Sequence, residues 1–187
     1  NIILLQCPSH DSDGSYILAT ARDSFPGPDH DHGRCLHDAL GAAERLCAKR
    51  GVRITPARRR VLELVWQRHA PVGAYDILSE MQRDAEKDGK PGAKVAPPTV
   101  YRALDFLMEQ GLVHKVESQN AYIGCSRPEG NHDCGFLICR KCGAALEIED
   151  DALSALLGSL ASRHGFAAQR STVEIEGLCP SCRSGAD

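Results

Sequence analysis

The sequence predicts an α+β protein in two units, an N-terminal winged-helix domain and a smaller C-terminal α+β domain. Four segments with the helical spacing of apolar residues come first, and no strand pattern interrupts them before Gly111. Two short strand patterns follow at residues 112–117 and 121–125, separated by polar residues that suit a hairpin turn. Helices followed by a two-stranded ribbon are the element order of a winged helix.

The ends of the helices carry recognisable signals. Apolar residues recur every three or four positions from Leu36 onwards. Gly51 can adopt the left-handed conformation that commonly ends a helix, so the first helix is expected to end there. Thr55 followed by Pro56 is typical of a helix start, because threonine caps free N–H groups and proline needs no donor there. The four helices are predicted over residues 36–50, 55–66, 74–81 and 98–110.

A second unit follows the ribbon. Strand patterns at residues 136–138, 145–149 and 172–175 flank a helix whose apolar stripe lies within 153–160. This unit is too small to be stable on its core alone, so a bound metal or a second copy of the chain is expected to stabilise it. The predicted division is a flexible tail at residues 1–34, a winged-helix domain at 35–117 and a zinc-binding dimerisation domain at 118–187.

The net charge of the chain conceals a basic segment. The formal net charge is −3, yet residues 45–68 contain eight basic residues and one acidic residue. Such a segment suits a polyanion, and we expect Arg58, Arg59 and Arg60 to contact DNA. No apolar run approaches the roughly 20 residues of a membrane span, and no secretion signal is evident, so a soluble, cytoplasmic protein is expected.

Four of the nine cysteines form two Cys-x-x-Cys pairs, Cys139 with Cys142 and Cys179 with Cys182. The odd total and this spacing favour reduced, metal-binding thiols over a disulfide framework. Each pair holds two thiolates close enough to share one ion, and two pairs complete the four-sulfur site typical of structural Zn²⁺. A structural zinc site is therefore predicted; a thiol redox protein that uses the pairs catalytically is an alternative.

A second set of metal donors lies near the hairpin. If residues 119–120 form a two-residue loop, antiparallel pairing places His114 opposite Cys125, within reach of one ion. His132, in the following loop, and Glu147, on the polar face of a later strand, are two further donors. This donor set suits Zn²⁺, because a thiolate disfavours Mg²⁺ and Ca²⁺ while imidazole and carboxylate are compatible with zinc.

Several motifs, in this order, resemble the ferric uptake regulator family and, within it, the zinc uptake regulators. The motifs are RITPAR at 53–58, PPTVYRAL at 97–104, GLVHKVES at 111–118, CRKCG at 139–143 and CPSC at 179–182. The resemblance covers the chain from about Leu36 to Cys182. It implies a homodimeric repressor that binds a palindromic, AT-rich double-stranded DNA operator when loaded with zinc, and that silences genes for zinc import.

The resemblance also implies two zinc ions per protomer, one structural and one regulatory. The cysteine pairs would hold the structural ion, while His114, Cys125, His132 and Glu147 match the regulatory ligands. If the first two belong to the winged helix and the others to the dimerisation domain, zinc bridges the domains and closes the dimer onto DNA. Cys134 is an extra thiol beside this site.

Four residues are expected to contact the operator besides the basic segment. Tyr75, ahead of the third helix, and Arg102, on the fourth, match residues that read DNA in the family, and Thr99 and Tyr101 share the motif of Arg102. No nucleophile–base motif or phosphate-binding glycine loop occurs, so an enzyme is not expected. An iron or peroxide sensor of the same family is the closest alternative.

Overall fold

The computed structural model describes residues 24–25, 32–88, 94–128 and 135–185, which form helices and two small sheets. The helices are α1 (His32–Lys49), α2 (Pro56–Val65), α3 (Ala74–Lys87), α4 (Pro97–Glu109), α5 (Asp151–Arg163) and α6 (Pro180–Arg183). The strands are β1 (Val72–Gly73), β2 (Val113–Val116), β3 (Ala121–Gly124), β4 (Gly135–Cys139), β5 (Ala145–Ile148) and β6 (Val173–Gly177). The predicted α+β class is confirmed.

Helices α1 to α4 pack around one apolar core. The side chain of Thr55 accepts a hydrogen bond from the backbone N–H of Arg58, and Pro56 opens α2 as predicted. Gly51 after α1 and Gly111 after α4 have positive φ angles of 67° and 66°, a conformation in which a side chain is strained. The most deeply buried side chains of this core include Val61, Leu62, Val65, Ile77, Val100, Leu104 and Leu107.

The first sheet has the strand order β1-β3-β2, and its two longer strands form the hairpin (β2, β3 and their turn). The two-residue β1 was not predicted, since it lies in a segment that reads as a helix break. His114 lies opposite Ile123, so the predicted pairing of His114 with Cys125 is wrong. The turn is longer than predicted: the backbone N–H of Asn120 bonds to the carbonyl oxygen of Glu117 at 3.2 Å.

Two predicted limits differ from the structure. The domain boundary drawn after residue 117 falls inside the hairpin, because β3 belongs to the same sheet as β2. Helix α1 begins at His32, within the tail predicted for residues 1–34, because its first turn extends ahead of the first apolar residue. Apart from residues 24–25 and 32–34, that tail lies outside the described residues.

The second unit consists of the second sheet with α5 and α6. β4 lies at the centre of this sheet, antiparallel to β5 and parallel to β6. Asp150 caps α5 by accepting a hydrogen bond of 2.8 Å from the backbone N–H of Leu153. The short α6, which the sequence did not predict, begins after Cys179. None of the helices described here combines the length and apolarity needed to cross a bilayer.

The two units meet at the hairpin. One buried apolar cluster joins the hairpin to the second sheet, and its members are Val116, Ile123, Phe136, Ile138 and Ala145. In addition, the backbone N–H of Ala145 donates to the carbonyl oxygen of His69, in the loop after α2, at 2.9 Å. The hairpin therefore packs against the second sheet, and His114 and Cys125 lie on that same face, beside Val116 and Ile123.

Candidate metal centres and nucleic-acid interface

The two cysteine pairs converge at one end of the second sheet. Cys139 is the last residue of β4, and Cys142 follows in a turn in which Gly143 has a positive φ of 74°. Cys179 caps α6, and Cys182 lies within that helix. The parallel pairing of β6 with β4 brings the second pair beside the first, although they are far apart in the chain.

The four sulfur atoms form a cluster with the dimensions of a zinc site, which we call the cysteine cluster. All four lie within 4.8 Å of one another, and the sulfurs of Cys142 and Cys179 are 3.8 Å apart. Four sulfurs held tetrahedrally at about 2.3 Å from Zn²⁺ are separated by about 3.8 Å. The cysteine cluster therefore fits a structural zinc ion in both donor type and spacing.

The four thiols are close enough to influence one another's protonation. Hydrogen bonds from the backbone N–H groups of Cys179 and Cys142 lower the pKa of the Cys139 thiol. Burial and the neighbouring thiols raise the pKa of Cys182. Four thiolates this close repel one another, so the cysteine cluster cannot lose all its protons without a cation. Such a cluster is expected to bind metal by releasing protons.

A second group of donors, the interdomain cluster, lies between the hairpin and the second sheet. His114 on β2, Cys125 directly after β3 and Glu147 on β5 each offer one ligand atom, all within 4.8 Å of one another. Nε2 of His114 is 3.0 Å from Oε1 of Glu147, and Sγ of Cys125 is 3.8 Å from the same oxygen. A single ion can therefore contact donors from both sheets.

Glu147 is held firmly within the interdomain cluster. Its side chain is only 7% exposed, and its second oxygen accepts hydrogen bonds of 2.7 Å from both the backbone N–H and the hydroxyl of Ser126. Burial alone would raise the pKa of Glu147, but the hydrogen bonds from His114 and Ser126 hold it at about 2. The carboxylate is therefore an oriented anion at neutral pH, which suits a cation ligand.

His114 and Cys125 share one face of the hairpin although they are not opposite each other. The observed register differs from the predicted one by two residues, and because side chains alternate with a period of two, the face is preserved. The two residues are diagonal neighbours, about 7–8 Å apart, a distance that an imidazole and a thiol can span. His132, the predicted fourth donor, and Cys134 lie outside the described residues.

Two residues that support the interdomain cluster were not predicted. Ser126 orients Glu147, and its place directly after a cysteine donor is the signal that could have indicated it. The buried ring of Phe136 lies 5.8 Å from the ring of His114, between centroids, and shields one side of the imidazole. Nothing in the local sequence distinguishes this phenylalanine from an ordinary core residue.

Helix α4, which directly precedes the hairpin, presents an exposed polar face. Thr99, Tyr101 and Arg102 are exposed on it, while the opposite face is buried in the core. Tyr75 is 72% exposed and lies in the first turn of α3, not ahead of that helix as predicted. All four residues are therefore accessible to a partner.

The three arginines at the start of α2 interact within the protein. The guanidinium of Arg58 lies 3.5 Å from the centroid of the Phe106 ring. The other two have acidic partners: Arg59 pairs with Glu44 and Glu63, and Arg60 with Glu63 and Asp84. These contacts compete with the predicted role at DNA phosphates, which stays a prediction.

Comparisons with known proteins agree with the geometry. The sequence pattern of the Ferric uptake regulator family matches residues 49–176. The Zinc uptake regulation protein of Escherichia coli (strain K12) is 42% identical over 146 residues, covering 78% of this chain and 81% of that protein. A zinc uptake regulator complexed with zinc and DNA has a TM-score of 0.71 at 42% identity, covering 80% of this chain and 96% of that one. The crystal structure of holo XcZur has a TM-score of 0.69 at 43% identity, covering 79% of this chain and 98% of that one.

Proposed function

Because this chain belongs to the ferric uptake regulator family, we propose that it is a zinc-responsive, DNA-binding repressor of zinc-uptake genes. The observation that carries the proposal is the interdomain cluster, whose donors come from both the hairpin and the second sheet. A relative of 42% identity is a zinc uptake regulation protein, and a structure of the same identity is a regulator in complex with zinc and DNA.

The interdomain cluster supports a switch because its donors meet only when the hairpin and the second sheet are together. A ligand shifts a conformational equilibrium only by its difference in affinity for the two states, and separating these donors makes that difference large. Zinc bound here supplies the attraction that joins the two units. His132 is the proposed fourth ligand beside His114, Cys125 and Glu147, since zinc sites of this kind take four donors.

The cysteine cluster is proposed as a separate, structural zinc site, which gives two ions per protomer. Cys139, Cys142, Cys179 and Cys182 all belong to the second unit, so they do not report on the relation between units. A closed four-sulfur site leaves no position open for a substrate and contributes to folding free energy. Its role is to stabilise a unit whose own core is small.

DNA contact is assigned to the exposed face of α4 and to Tyr75. Arg102 can form two parallel hydrogen bonds to a guanine edge in the major groove, and Thr99 and Tyr101 lie beside it on the same helix. Contacts from basic side chains to phosphates would supply much of the affinity and make it salt-dependent.

A homodimer is supported by exposed apolar side chains on the second unit. They are Leu156, Leu160, Phe166, Ile175 and Leu178, each at least 45% exposed. Large apolar side chains grouped on one unit are typical of a protein interface. A two-fold dimer would carry two copies of α4 to the half-sites of a palindrome. The reduced thiols and the DNA target together imply a cytoplasmic protein.

The donor chemistry favours this function over its alternatives. A thiol redox protein needs one dithiol poised to react, whereas here four sulfurs lie within one cluster suited to a metal ion. An iron or peroxide sensor of the same family is less favoured, because the thiolate of Cys125 in the interdomain cluster suits zinc.

Operator binding at buffered free metal concentrations tests the proposal. A duplex is first selected from a random pool by the zinc-loaded full chain, and binding is then followed by fluorescence anisotropy while free Zn²⁺ or Fe²⁺ is varied. Zinc should raise the affinity roughly 5- to 150-fold, the usual range of coupling between two binding sites. Cys125→Ser should remove this response while its circular dichroism stays that of the wild type.

Cys47→Ala is the matched control, because it removes a thiol that is buried in the helical core, away from both clusters. It should keep the zinc response. An unchanged zinc response in Cys125→Ser, or activation of the wild type by Fe²⁺ alone, would contradict the proposal.

A further inference from the structure

The two carboxylate oxygens of Glu147 face different partners. Oε1 lies 3.0 Å from Nε2 of His114 and 3.8 Å from Sγ of Cys125. In a tetrahedral zinc site, a carboxylate oxygen is about 3.4 Å from an imidazole nitrogen and about 3.6 Å from a thiolate sulfur. Oε1 is therefore the oxygen that can share an ion with the other two donors.

The second oxygen, Oε2, is held by Ser126, the residue directly after Cys125. Oε2 accepts hydrogen bonds of 2.7 Å from both the backbone N–H and the hydroxyl of this serine. A carboxylate oxygen has two lone pairs, and two hydrogen bonds use both of them. While Ser126 keeps its place, Oε2 therefore has no lone pair left for a cation.

The contact between Ser126 and Glu147 is well anchored. The side chain of Glu147 is only 7% exposed, which strengthens its hydrogen bonds by limiting competition from water. Arg127, which follows Ser126, pairs with Glu149, one residue beyond β5, at 2.7 Å. The segment of Ser126 is thus fixed beside β5 at two successive residues.

We propose that Ser126 sets the metal preference of the interdomain cluster by limiting Glu147 to one ligating oxygen. This inference rests on the proposed function, because it concerns the regulatory ion. With one oxygen from Glu147 and with His132 as the proposed fourth ligand, the cluster supplies four donors, the number that Zn²⁺ takes in a tetrahedral site. A carboxylate that used both oxygens would add a fifth donor and favour ions such as Mn²⁺, which prefer octahedral sites.

The hydroxyl of Ser126 is the part of this arrangement that a substitution removes. In Ser126→Ala the backbone N–H remains, so Glu147 keeps one hydrogen bond, while Oε2 regains a lone pair and can turn towards the ion. Zinc should then bind at least about 10-fold more weakly, because its ligand is less well oriented, whereas Mn²⁺ gains a donor. The ratio of the Mn²⁺ dissociation constant to the Zn²⁺ dissociation constant should therefore fall by at least about 10-fold.

Metal competition on the full chain measures this ratio. Wild type and variants, each with zinc retained in the cysteine cluster, are titrated with Zn²⁺ or Mn²⁺ against a fluorescent chelator. Ser126→Thr keeps the hydroxyl and should keep the wild-type ratio. Ser79→Ala is the matched control: it removes an exposed hydroxyl that donates to the carbonyl oxygen of Tyr75, outside both clusters, and should also keep the ratio. Equal weakening of both ions in Ser126→Ala would overturn the proposal, since that is the effect of a purely structural serine.

The absorption spectrum of bound Co²⁺ reports the number of donors. The d–d absorption of Co²⁺ is strong in a four-coordinate tetrahedral site and much weaker when five or six ligands are bound. After subtraction of the spectrum of Cys125→Ser, the wild type should show the strong absorption and Ser126→Ala the weaker one. Identical spectra of wild type and Ser126→Ala would also overturn the proposal. Neither result changes the zinc-dependent DNA binding of the wild type, whose absence would overturn the proposed function instead, so the two fail separately.

Discussion

Nε2 of His114 lies 3.0 Å from Oε1 of Glu147, although the two residues belong to different sheets. The other oxygen of Glu147 is held by Ser126, so the carboxylate is oriented by the protein itself and not only by a cation. The contact joins the winged helix to the second unit through a side chain that is an anion at neutral pH. In the zinc switch proposed above, this carboxylate is the ligand that the second unit contributes.

Glu147→Gln should remove most of the zinc affinity of the interdomain cluster without unfolding the chain. The amide has nearly the same size and its oxygen can still accept the hydrogen bonds from Ser126, but the negative charge is lost. We expect zinc to bind at least about 10- to 100-fold more weakly, since that is the usual cost of changing a residue that only orients a metal ligand. Competition with a fluorescent zinc chelator measures the change.

Glu149→Gln is the matched control for this variant. Glu149 lies two residues further along, and its carboxylate pairs with Arg127 at 2.7 Å. The control should bind zinc as the wild type does. Equal zinc affinities in Glu147→Gln and Glu149→Gln would mean that the buried carboxylate is not a ligand.

The hairpin illustrates how far the sequence alone can predict the site. Alternation along the strands correctly assigns His114 and Cys125 to one face, because that property depends only on local spacing. The length of the turn depends on a tertiary contact: the carboxylate of Glu174 accepts hydrogen bonds from the backbone N–H groups of Glu117 at 2.6 Å and Ser118 at 3.0 Å. No local pattern at residues 117–120 indicates that contact, so the predicted register differs from the observed one by two residues.

The basic segment illustrates the same limit of prediction from sequence, here for the role of its side chains. A run of three arginines predicts a contact with a polyanion, because only their charges and spacing are visible in the sequence. The partners of Arg59 and Arg60 include Glu44 on α1 and Asp84 on α3, which become neighbours only after the helices pack. Helix caps and apolar faces were predictable for the opposite reason, since they depend on residues a few positions apart.

Cys139→Ser should destabilise the second unit and the dimer that depends on it. Zinc binding contributes directly to the folding free energy of small domains, and serine is a poor replacement for a thiolate ligand. We expect loss of the structural zinc and a monomeric or unfolded protein by size-exclusion chromatography and circular dichroism. Ser181 lies between Cys179 and Cys182, and Ser181→Ala is the control, which should keep its zinc and its dimer. A zinc-loaded dimer of Cys139→Ser would contradict the assignment of the cysteine cluster as a structural zinc site.

Arg102→Ala should weaken operator binding by about 1–3 kcal/mol and relax the preference for one base pair. Arg60→Ala removes a predicted phosphate contact that also pairs with Asp84 at 2.7 Å, so it should cost less than about 1 kcal/mol of stability and weaken binding equally on every duplex. Anisotropy titrations on the selected duplex and on base-substituted duplexes distinguish the two variants. If Arg102→Ala also loses the same affinity on every duplex, Arg102 on α4 does not read the base sequence.

Gly124→Ala should displace the hairpin from α2. A Cβ atom at this position would lie 2.2 Å from Cε2 of Trp66, so the indole or the strand must move. We expect about 1–3 kcal/mol of lost stability in urea unfolding, the usual cost of overpacking, and weaker zinc binding at the adjacent Cys125. Gly158→Ala is the control in α5: its added methyl group would meet no atom within 4 Å, so it should instead stabilise the helix by up to about 1 kcal/mol.

Glu174→Gln should change the acid dependence of stability. Burial tends to raise the pKa of Glu174, but hydrogen bonds from Ser118 and from the backbone N–H of Glu117 outweigh it and lower the pKa below its usual value. A carboxyl whose pKa is lower in the folded state stabilises the protein above its unfolded pKa of about 4.3, and this contribution is lost as the pH falls through the folded value. The wild type should therefore be more stable than Glu174→Gln at pH 7, and the difference should shrink in urea titrations below about pH 4. Glu176 is an exposed glutamate two residues further along β6, and Glu176→Gln should show the same dependence of stability on pH as the wild type. A constant difference in stability between wild type and Glu174→Gln at every pH would show that the charge of Glu174 does not hold the turn.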